Sequence, residues 1–229
     1  MGKRLIQQRR GRGTGTYKSP GHRFIGPAKH PLSEGDSTVM DILHCAGHSA
    51  PLMAVSCESG EVALQIAPKG VAIGDNLSDG VSGSVKRLGD LAEGTLIYNI
   101  EARPGDGGKF VRSSGAFARV VSKDGNIVRV KLPSRVEKTF LADCRAAIGV
   151  VAGNGRTEKP FMKAGNRFHR MKARNKLYPR VCGISMNAVD HPFGGSCSHV
   201  KGRPTQAPRN APPGRKVGKI APKRTGRKR

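Results

Sequence analysis

The segment from Met186 to Gly195 contains the residues of this chain that are best suited to chemistry. It reads Met-Asn-Ala-Val-Asp-His-Pro-Phe-Gly-Gly, and Asp190 is the sole carboxylate residue after Glu158. A histidine beside a carboxylate can exchange protons near neutral pH, because the carboxylate sets the orientation or the pKa of the imidazole. In an ordinary turn the same side chains only form hydrogen bonds, and the spacing favours that reading. We therefore treat His191 as a candidate functional residue and assign no catalytic residue.

Ligand-type residues for zinc occur in two other places. His44-Cys45-Ala46-Gly47-His48 precedes Cys57, and Cys197-Ser198-His199 lies near the C terminus. These spacings match no standard zinc finger, so no metal site is predicted. The run Gly11-Arg12-Gly13-Thr14-Gly15 has no strand pattern before it and no helix pattern after it, and GxxxxGK[ST] does not occur. The sequence therefore predicts no nucleotide-hydrolysis site and no cofactor.

Positive charge is concentrated towards the two ends of the chain. Of the 41 Lys and Arg, 27 lie in residues 1–33, 159–180 and 201–229, whereas residues 34–158 hold 14 Lys and Arg against 15 Asp and Glu. The formal net charge of +25 therefore belongs to the terminal segments. Such segments repel themselves and are expected to order against a polyanion. RNA or DNA is the polyanion that this pattern indicates.

The composition narrows the mode of binding. Aromatic residues make up 4% of the chain and Trp is absent, which disfavours binding by base stacking and favours phosphate contacts. No stretch approaches the roughly 20 apolar residues that span a membrane, so a cytoplasmic protein without a membrane partner is expected. Five scattered cysteines indicate reduced thiols, and Cys144 and Cys182 are predicted to be small buried hydrophobes.

Apolar residues of the central region alternate with period two. Leu52–Cys57 and Val62–Ile66 predict one hairpin, and Phe117–Leu132 predicts a second whose tight turn is an Asp-Gly step. Further strands are expected over Leu96–Ala102 and Val136–Leu141. Strands this short, at this spacing, are typical of small β-barrels.

The predicted organisation is two small barrels between basic extensions. Residues 1–33 form a basic N-terminal arm, 34–83 and 84–158 form the barrels, and 159–229 form a basic C-terminal extension and tail. The notable helical candidate, Phe161–Lys176, has few apolar positions to bury against protein. From Lys201 onward the prolines predict an extended tail without regular helix or strand.

Segments along almost the whole chain resemble one family. Met186 to Gly195 resembles the signature of the universal large-subunit ribosomal protein L-two family, which reads Met-Asn-Pro-Val-Asp/Glu-His-Pro-His/Phe-Gly-Gly. Other segments resemble that family in the same order: Ala67-Pro68-Lys69-Gly70, Arg103-Pro104-Gly105-Asp106-Gly107-Gly108, Arg112-Ser113-Ser114-Gly115, Ala142-Asp143-Cys144-Arg145-Ala146, Lys163-Ala164-Gly165 and residues 211–218. Phe193, the tail and the short N-terminal arm are similar to the archaeal and eukaryotic branch. Ala188 departs from the usual proline, which loosens the argument for a preset backbone there.

The resemblance implies an OB-like barrel followed by an SH3-like barrel in a mainly β fold, with long basic non-globular extensions threaded into large-subunit rRNA near the peptidyl-transferase centre. It implies a structural constituent of cytoplasmic ribosomes rather than an enzyme. Its partners would be large-subunit rRNA, other ribosomal proteins and the small subunit across the subunit interface. His191 matches the family histidine considered for peptide-bond formation, and whether magnesium bridges protein and RNA is left open.

The residues expected to contact rRNA are cations of the extensions and of the matched segments, together with two residues of the signature. They are Arg9, Arg10, Arg12, Lys69, Arg112, Arg145, Lys163, Arg167, Arg170, Lys172, Arg174, Arg180, Asn187, His191, Lys201, Arg203, Arg215, Lys216 and Arg224. Two alternatives remain at this point. One is a general nucleic-acid-binding or elongation factor with an SH3-like module, and the other is a hydrolase that uses the Asp-His pair of the signature.

Overall fold

The chain divides into two compact units. The computed structural model describes residues 2–15, 17–18, 21, 24–33, 35–195 and 205–223. One unit, here the central unit, is Pro20–Ala164, and the other, here the terminal unit, combines Met1–Ser19 with Gly165–Arg229. The two ends of the chain thus belong to one unit, although they are far apart in sequence.

A three-stranded antiparallel sheet opens the central unit. Its strands are β1 (Ser37–Leu43), β2 (Leu52–Cys57) and β3 (Val62–Ile66), in the order β1-β2-β3. The hairpin of β2 and β3 is confirmed at its predicted bounds. β1 was not predicted, since its register with β2 shifts between Val39 and Asp41 and its exposed residues interrupt the alternation.

A six-stranded antiparallel sheet follows, in the order β4-β9-β5-β6-β7-β8. Its strands are β4 (Val85–Arg87), β5 (Leu96–Tyr98), β6 (Ala118–Asp124), β7 (Ile127–Lys131), β8 (Glu137–Leu141) and β9 (Arg145–Ile148). The second predicted hairpin and the strand after it are confirmed. The predicted strand over residues 96–102 is wrong beyond Tyr98, because Asn99 takes a φ of 49° and ends the extended backbone.

The two sheets share a hydrophobic core. Leu52 and Ile66 of the first sheet pack in one buried cluster with Tyr98 of the second. The hydroxyl of Tyr98 donates a hydrogen bond to the carbonyl of Ile66 at 3.0 Å. A second cluster lies within the six-stranded sheet, where Val128 and Val130 are fully buried. This mainly β architecture is the predicted fold class and is consistent with barrel-like domains, and the predicted boundary at residue 83 falls inside one compact unit.

The terminal unit contains little regular structure. Its elements are α1 (Ile6–Arg10), α2 (Ala164–Ala173), β10 (Gln206–Ala207) and β11 (Lys219–Ile220). The predicted helix is confirmed in α2, although it begins later and ends earlier than predicted, and Asn175 beyond it has a φ of 47°. The prediction of a tail without strands is wrong, because β10 and β11 form a parallel pair. Each strand has only two residues, and none of them is proline. The pairing therefore does not require the backbone N–H group that proline lacks.

Four apolar side chains of the terminal unit are buried: Leu5, Ala207, Ala211 and Val217. Among the cysteines, Cys144 is buried as predicted. Cys182 is exposed, so its prediction was wrong: it lies on the chain just before a short 3-10 turn rather than on a strand. In the part of the chain that the structure describes, no helix is both long enough and apolar enough to cross a membrane.

Candidate nucleic-acid interface

Charge separates the two units sharply. The terminal unit contains 23 Lys and Arg with one carboxylate residue, Asp190, whereas the central unit contains 18 Lys and Arg with 15 Asp and Glu. Asp190 lies 3.6 Å from the Nζ of Lys3, so even this carboxylate is paired within the unit. The terminal unit is therefore the part of the protein that needs an external polyanion.

Most of the predicted rRNA-contacting residues lie on the surface. Arg9, Arg10, Arg12, Lys69, Lys163, Arg167, Lys172, Arg180, Asn187 and Arg215 are exposed. Those that are half-buried in the terminal unit are Arg170, Arg174, His191 and Lys216. Lys201, Arg203 and Arg224 lie outside the described residues.

Several of these cations line one cleft of the terminal unit. Arg10, Arg167 and Arg180 border it, together with Lys176, which was not among the predicted contacts. Asn175 also lines it, and its Nδ2 donates to the carbonyls of Gly15 at 2.9 Å and Lys18 at 2.8 Å. The structure thus brings cations from both ends of the chain to a common surface.

Two predicted contact residues, Arg112 and Arg145, form hydrogen bonds within the central unit. Arg112 donates to the carbonyl of Gly108 at 3.1 Å and to that of Ala28 at 2.9 Å. Arg145 donates from Nη1 to the carbonyl of Pro31 at 2.7 Å, and its Nη2 lies 3.3 Å from Oε1 of the fully buried Glu101. These guanidinium groups therefore join residues 28–31 to β9 and to the loop between β5 and β6.

Glu101 organises this corner of the central unit. Burial alone raises the pKa of its carboxyl, but N–H donors from Arg145 and Gly107 and the charge of Arg145 outweigh burial and lower the pKa below its usual value. The backbone N–H groups of Gly105 and Gly107 donate to its two oxygens at 3.2 and 3.0 Å. A carboxylate satisfied in this way remains ionised and positions its arginine.

The signature segment folds into a tight loop around His191. Its ring accepts a hydrogen bond at Nδ1 from the N–H of Phe193 at 3.0 Å, and the two rings meet edge to face at 5.2 Å. Gly183 lies against the imidazole, where an added Cβ would collide with the ring atoms. Since Asp190 pairs with Lys3, the ring is oriented by Phe193 and Gly183 rather than by the neighbouring carboxylate.

The protonation state of His191 follows from these contacts. Partial burial lowers the pKa of the imidazole. A neutral ring that accepts at Nδ1 carries its proton on Nε2, so it offers one N–H donor. The loop therefore presents a hydrogen-bond donor rather than an acid-base pair.

Two of the zinc-type residues, Cys45 and His48, lie close together. Cys45 Sγ and His48 Nδ1 are 3.1 Å apart. Within the described ranges, no group of three His, Cys, Asp or Glu side chains could hold a metal ion. Cys197 and His199 lie outside those ranges.

Besides Lys176, the sequence interpretation missed the two aromatic residues of the cleft, Tyr17 and Tyr178. Scarce aromatic residues argued against stacking, and nothing in the spacing of these two tyrosines indicates that they meet. The one available signal was that each lies among arginines and lysines in an extension.

A mainly β framework with a strongly cationic terminal unit defines a class of polyanion-binding proteins. The family model described as "Ribosomal Proteins L2, C-terminal domain" matches residues 81–215. Proteins named large ribosomal subunit protein uL2 from Haloarcula marismortui, Methanosphaera stadtmanae and Methanococcoides burtonii are 51%, 50% and 48% identical to this chain. The matches cover 99%, 100% and 100% of this chain and 98%, 100% and 100% of those proteins. The chain belongs to the L2 family of ribosomal proteins, and the predicted resemblance to its archaeal type is confirmed.

Proposed function

We propose that this protein is a structural, non-catalytic constituent of the large ribosomal subunit that binds large-subunit rRNA. One observation carries the proposal: a chain that matches uL2 proteins end to end concentrates 23 cations and one carboxylate in a single unit. A polyanion that converges on this unit would neutralise charge that the protein leaves uncompensated.

The two units have different roles in rRNA binding. The central unit, with its shared core and its Glu101–Arg145 pair, supplies a folded framework. The terminal unit supplies phosphate contacts, with Arg suited to bidentate phosphate binding and Lys to point-charge neutralisation. Contacts of this kind carry little base information, so selectivity comes from the shape of the folded RNA.

The finer parts of the proposal concern location and partners. The protein acts in cytoplasmic ribosomes near the peptidyl-transferase centre, stabilises the folded rRNA and supports association with the small subunit. Other ribosomal proteins are neighbours there. The signature loop supports an rRNA contact because His191 offers an Nε2–H donor beside Lys3 and Arg4. His191 serves in packing and hydrogen bonding, and RNA performs the chemistry.

Crosslinking and RNA sequencing on native ribosomes test the proposal. Crosslinks should map to one set of large-subunit rRNA segments and should come from terminal-unit residues such as Arg12 and Arg215. Purified protein should prefer folded large-subunit rRNA over an unrelated duplex of equal length at physiological salt, where non-specific binding is weak. Equal binding to both RNAs would instead support a general nucleic-acid-binding or elongation factor.

A further inference from the structure

The cleft of the terminal unit contains two of the three tyrosines of the chain. The third, Tyr98, is buried in the core of the central unit. Tyr17 comes from the N-terminal segment and Tyr178 from the segment after α2, and the cleft between them has a volume of about 780 Å³. A protein with so few aromatic residues thus places both available tyrosines at one site.

Each tyrosine is paired with an arginine. The guanidinium carbon of Arg10 lies 5.9 Å from the centre of the Tyr17 ring, and that of Arg167 lies 5.6 Å from the centre of the Tyr178 ring. Both rings are half-buried. In each pair the guanidinium group lies over one face of the ring and helps to hold the ring in place.

The cleft is built by specific contacts. Asn175 lines it, and its amide is committed to the carbonyls of Gly15 and Lys18, the residues that flank Tyr17 at a distance of one or two positions. These two hydrogen bonds fix the Tyr17 segment against the chain that follows α2. Because both of these bonds use the Nδ2 group of Asn175, its N–H groups are not free to donate to a base edge there.

The charge of the cleft selects its ligand. Arg10, Arg167, Lys176 and Arg180 all line it. The sole carboxylate residue in the sequence of this unit, Asp190, pairs with Lys3. A suitable ligand therefore has anionic groups for the cations and a flat ring for the tyrosine and guanidinium planes. A nucleotide has both.

We propose that this cleft binds one unpaired RNA nucleotide, with its base stacked on the tyrosine–arginine layers and its flanking phosphates on Lys176 and Arg180. The base must be unpaired, because base faces inside a duplex are covered by their neighbours and cannot enter a concave site. Stacking tolerates every base, so the site selects a bulged or extruded position rather than a sequence. This inference rests on the proposed rRNA-binding function and assigns it a base-binding site.

The first test changes the RNA and leaves the protein intact. The full-length protein is titrated with three short RNA hairpins that are identical except for a bulged 2-aminopurine, a bulged abasic nucleotide or no bulge. We expect quenching of the 2-aminopurine and an affinity about 5- to 150-fold higher than for the abasic hairpin, the range expected for one stacked base. Equal affinity for the 2-aminopurine and abasic hairpins would overturn the inference.

The second test changes the protein. Tyr17→Leu and Tyr178→Leu should each lower the preference for the 2-aminopurine bulge, whereas Tyr17→Phe and Tyr178→Phe should keep it. Phe168→Leu is the matched control, because Phe168 is an exposed aromatic residue of α2 that does not line the cleft. An unchanged preference in both leucine variants would contradict the proposed site.

A third measurement distinguishes an RNA ligand from a free nucleotide. It also distinguishes failure of the base-binding site from failure of the proposed rRNA-binding function. Free adenosine monophosphate, added at a concentration close to that of the bulged hairpin, should not displace the hairpin. Displacement would show that the cleft binds free nucleotides and would overturn the RNA assignment. Binding to folded large-subunit rRNA is measured in parallel. If the wild-type protein binds that rRNA selectively while the bulged base contributes nothing, the inference fails and the proposed function stands. If selective rRNA binding is absent, the proposed function fails.

Discussion

The imidazole of His191 is held by neighbours on two sides. The N–H of Phe193 occupies Nδ1, and Gly183 lies so close to the ring that a side chain there would displace it. With its pKa lowered by partial burial, the ring is neutral at physiological pH and carries a proton on Nε2. This arrangement suits a fixed donor better than a group that gains and loses protons during a reaction.

Substitution of His191 distinguishes the two roles. A glutamine retains a donor and an acceptor, so His191→Gln should assemble into large subunits with near-normal peptide-bond formation. His191→Ala leaves the N–H of Phe193 without its partner, which should destabilise the signature loop by about 1–3 kcal/mol. Assembly should therefore be impaired before peptide-bond formation. The measurement is single-turnover peptidyl transfer on purified, fully assembled subunits. A loss of about 10²- to 10⁴-fold in glutamine subunits of intact composition would show that the imidazole transfers a proton.

A second histidine makes the central unit sensitive to acid. Burial lowers the pKa of His30 from 6.5 to about 4, although its Nε2 donates to the carbonyl of Asn99 at 2.6 Å. The unfolded chain therefore binds a proton between pH 6.5 and 4 that the folded chain does not bind. The free energy of unfolding should therefore rise with pH across this window. As the pH falls from 6.5 to 4, it should decrease by about 3 kcal/mol in total. Glu101 adds to this loss at lower pH, because its own pKa is depressed.

Urea unfolding of the full-length protein between pH 4 and 7 measures this dependence. His30→Gln should flatten the pH dependence above pH 4, although it lowers stability at neutral pH. His169→Gln is a suitable control, since His169 is an exposed residue of α2. If the slopes of the wild type and His30→Gln agree, His30 does not titrate as proposed.

At the scale of elements, the hairpin of β6 and β7 depends on one glycine. Gly125 begins its two-residue turn with a φ of 56°, and no heavy atom lies within 4 Å of where its Cβ would be. An alanine there meets backbone strain and no steric clash, so Gly125→Ala should lower the free energy of unfolding by about 1–2 kcal/mol. Asn126→Ala, at the next position and without a positive φ, should change stability by less. Urea denaturation of both variants compares them directly, and equal effects would mean that the strain at residue 125 is not the cause.

At the scale of the whole molecule, charge decides where RNA binds. Arg209, Arg215, Lys219 and Lys223 are exposed in the terminal unit, and replacing all four with glutamine should weaken rRNA binding. The slope of log K against log salt should become shallower by up to about 0.9 for each phosphate contact that is lost.

A matched set in the central unit provides the control for this salt dependence. Lys123, Arg129, Lys131 and Arg135 are also four exposed cations, on and beside the β6–β7 hairpin. Their replacement with glutamine should leave the slope nearly unchanged, because the central unit is close to neutral. Equal changes in the two variants would show that phosphate contacts are spread over both units.

The sequence by itself determined the local structure wherever a short-range pattern was sufficient. Period-two alternation predicted the β2–β3 and β6–β7 hairpins, since their partners are adjacent in sequence and joined by tight turns. β4 and β9 were missed because each has three or four residues and pairs with a strand that is distant in sequence. Such strands are stabilised by distant partners that no local window contains.

Charge was also readable from sequence, because it is a sum over residues and does not depend on how they pack. The sequence alone showed that net positive charge is confined to the extensions. It also contained the motifs of the L2 family. Only the tertiary structure decided which cations face outward. It turned Arg112 and Arg145 toward the carbonyls of Ala28 and Pro31, and it brought Tyr17 and Tyr178 from opposite ends of the chain into one cleft. These placements depend on long-range contacts, whose geometry is fixed by packing of the whole fold rather than by the spacing of residues along the chain.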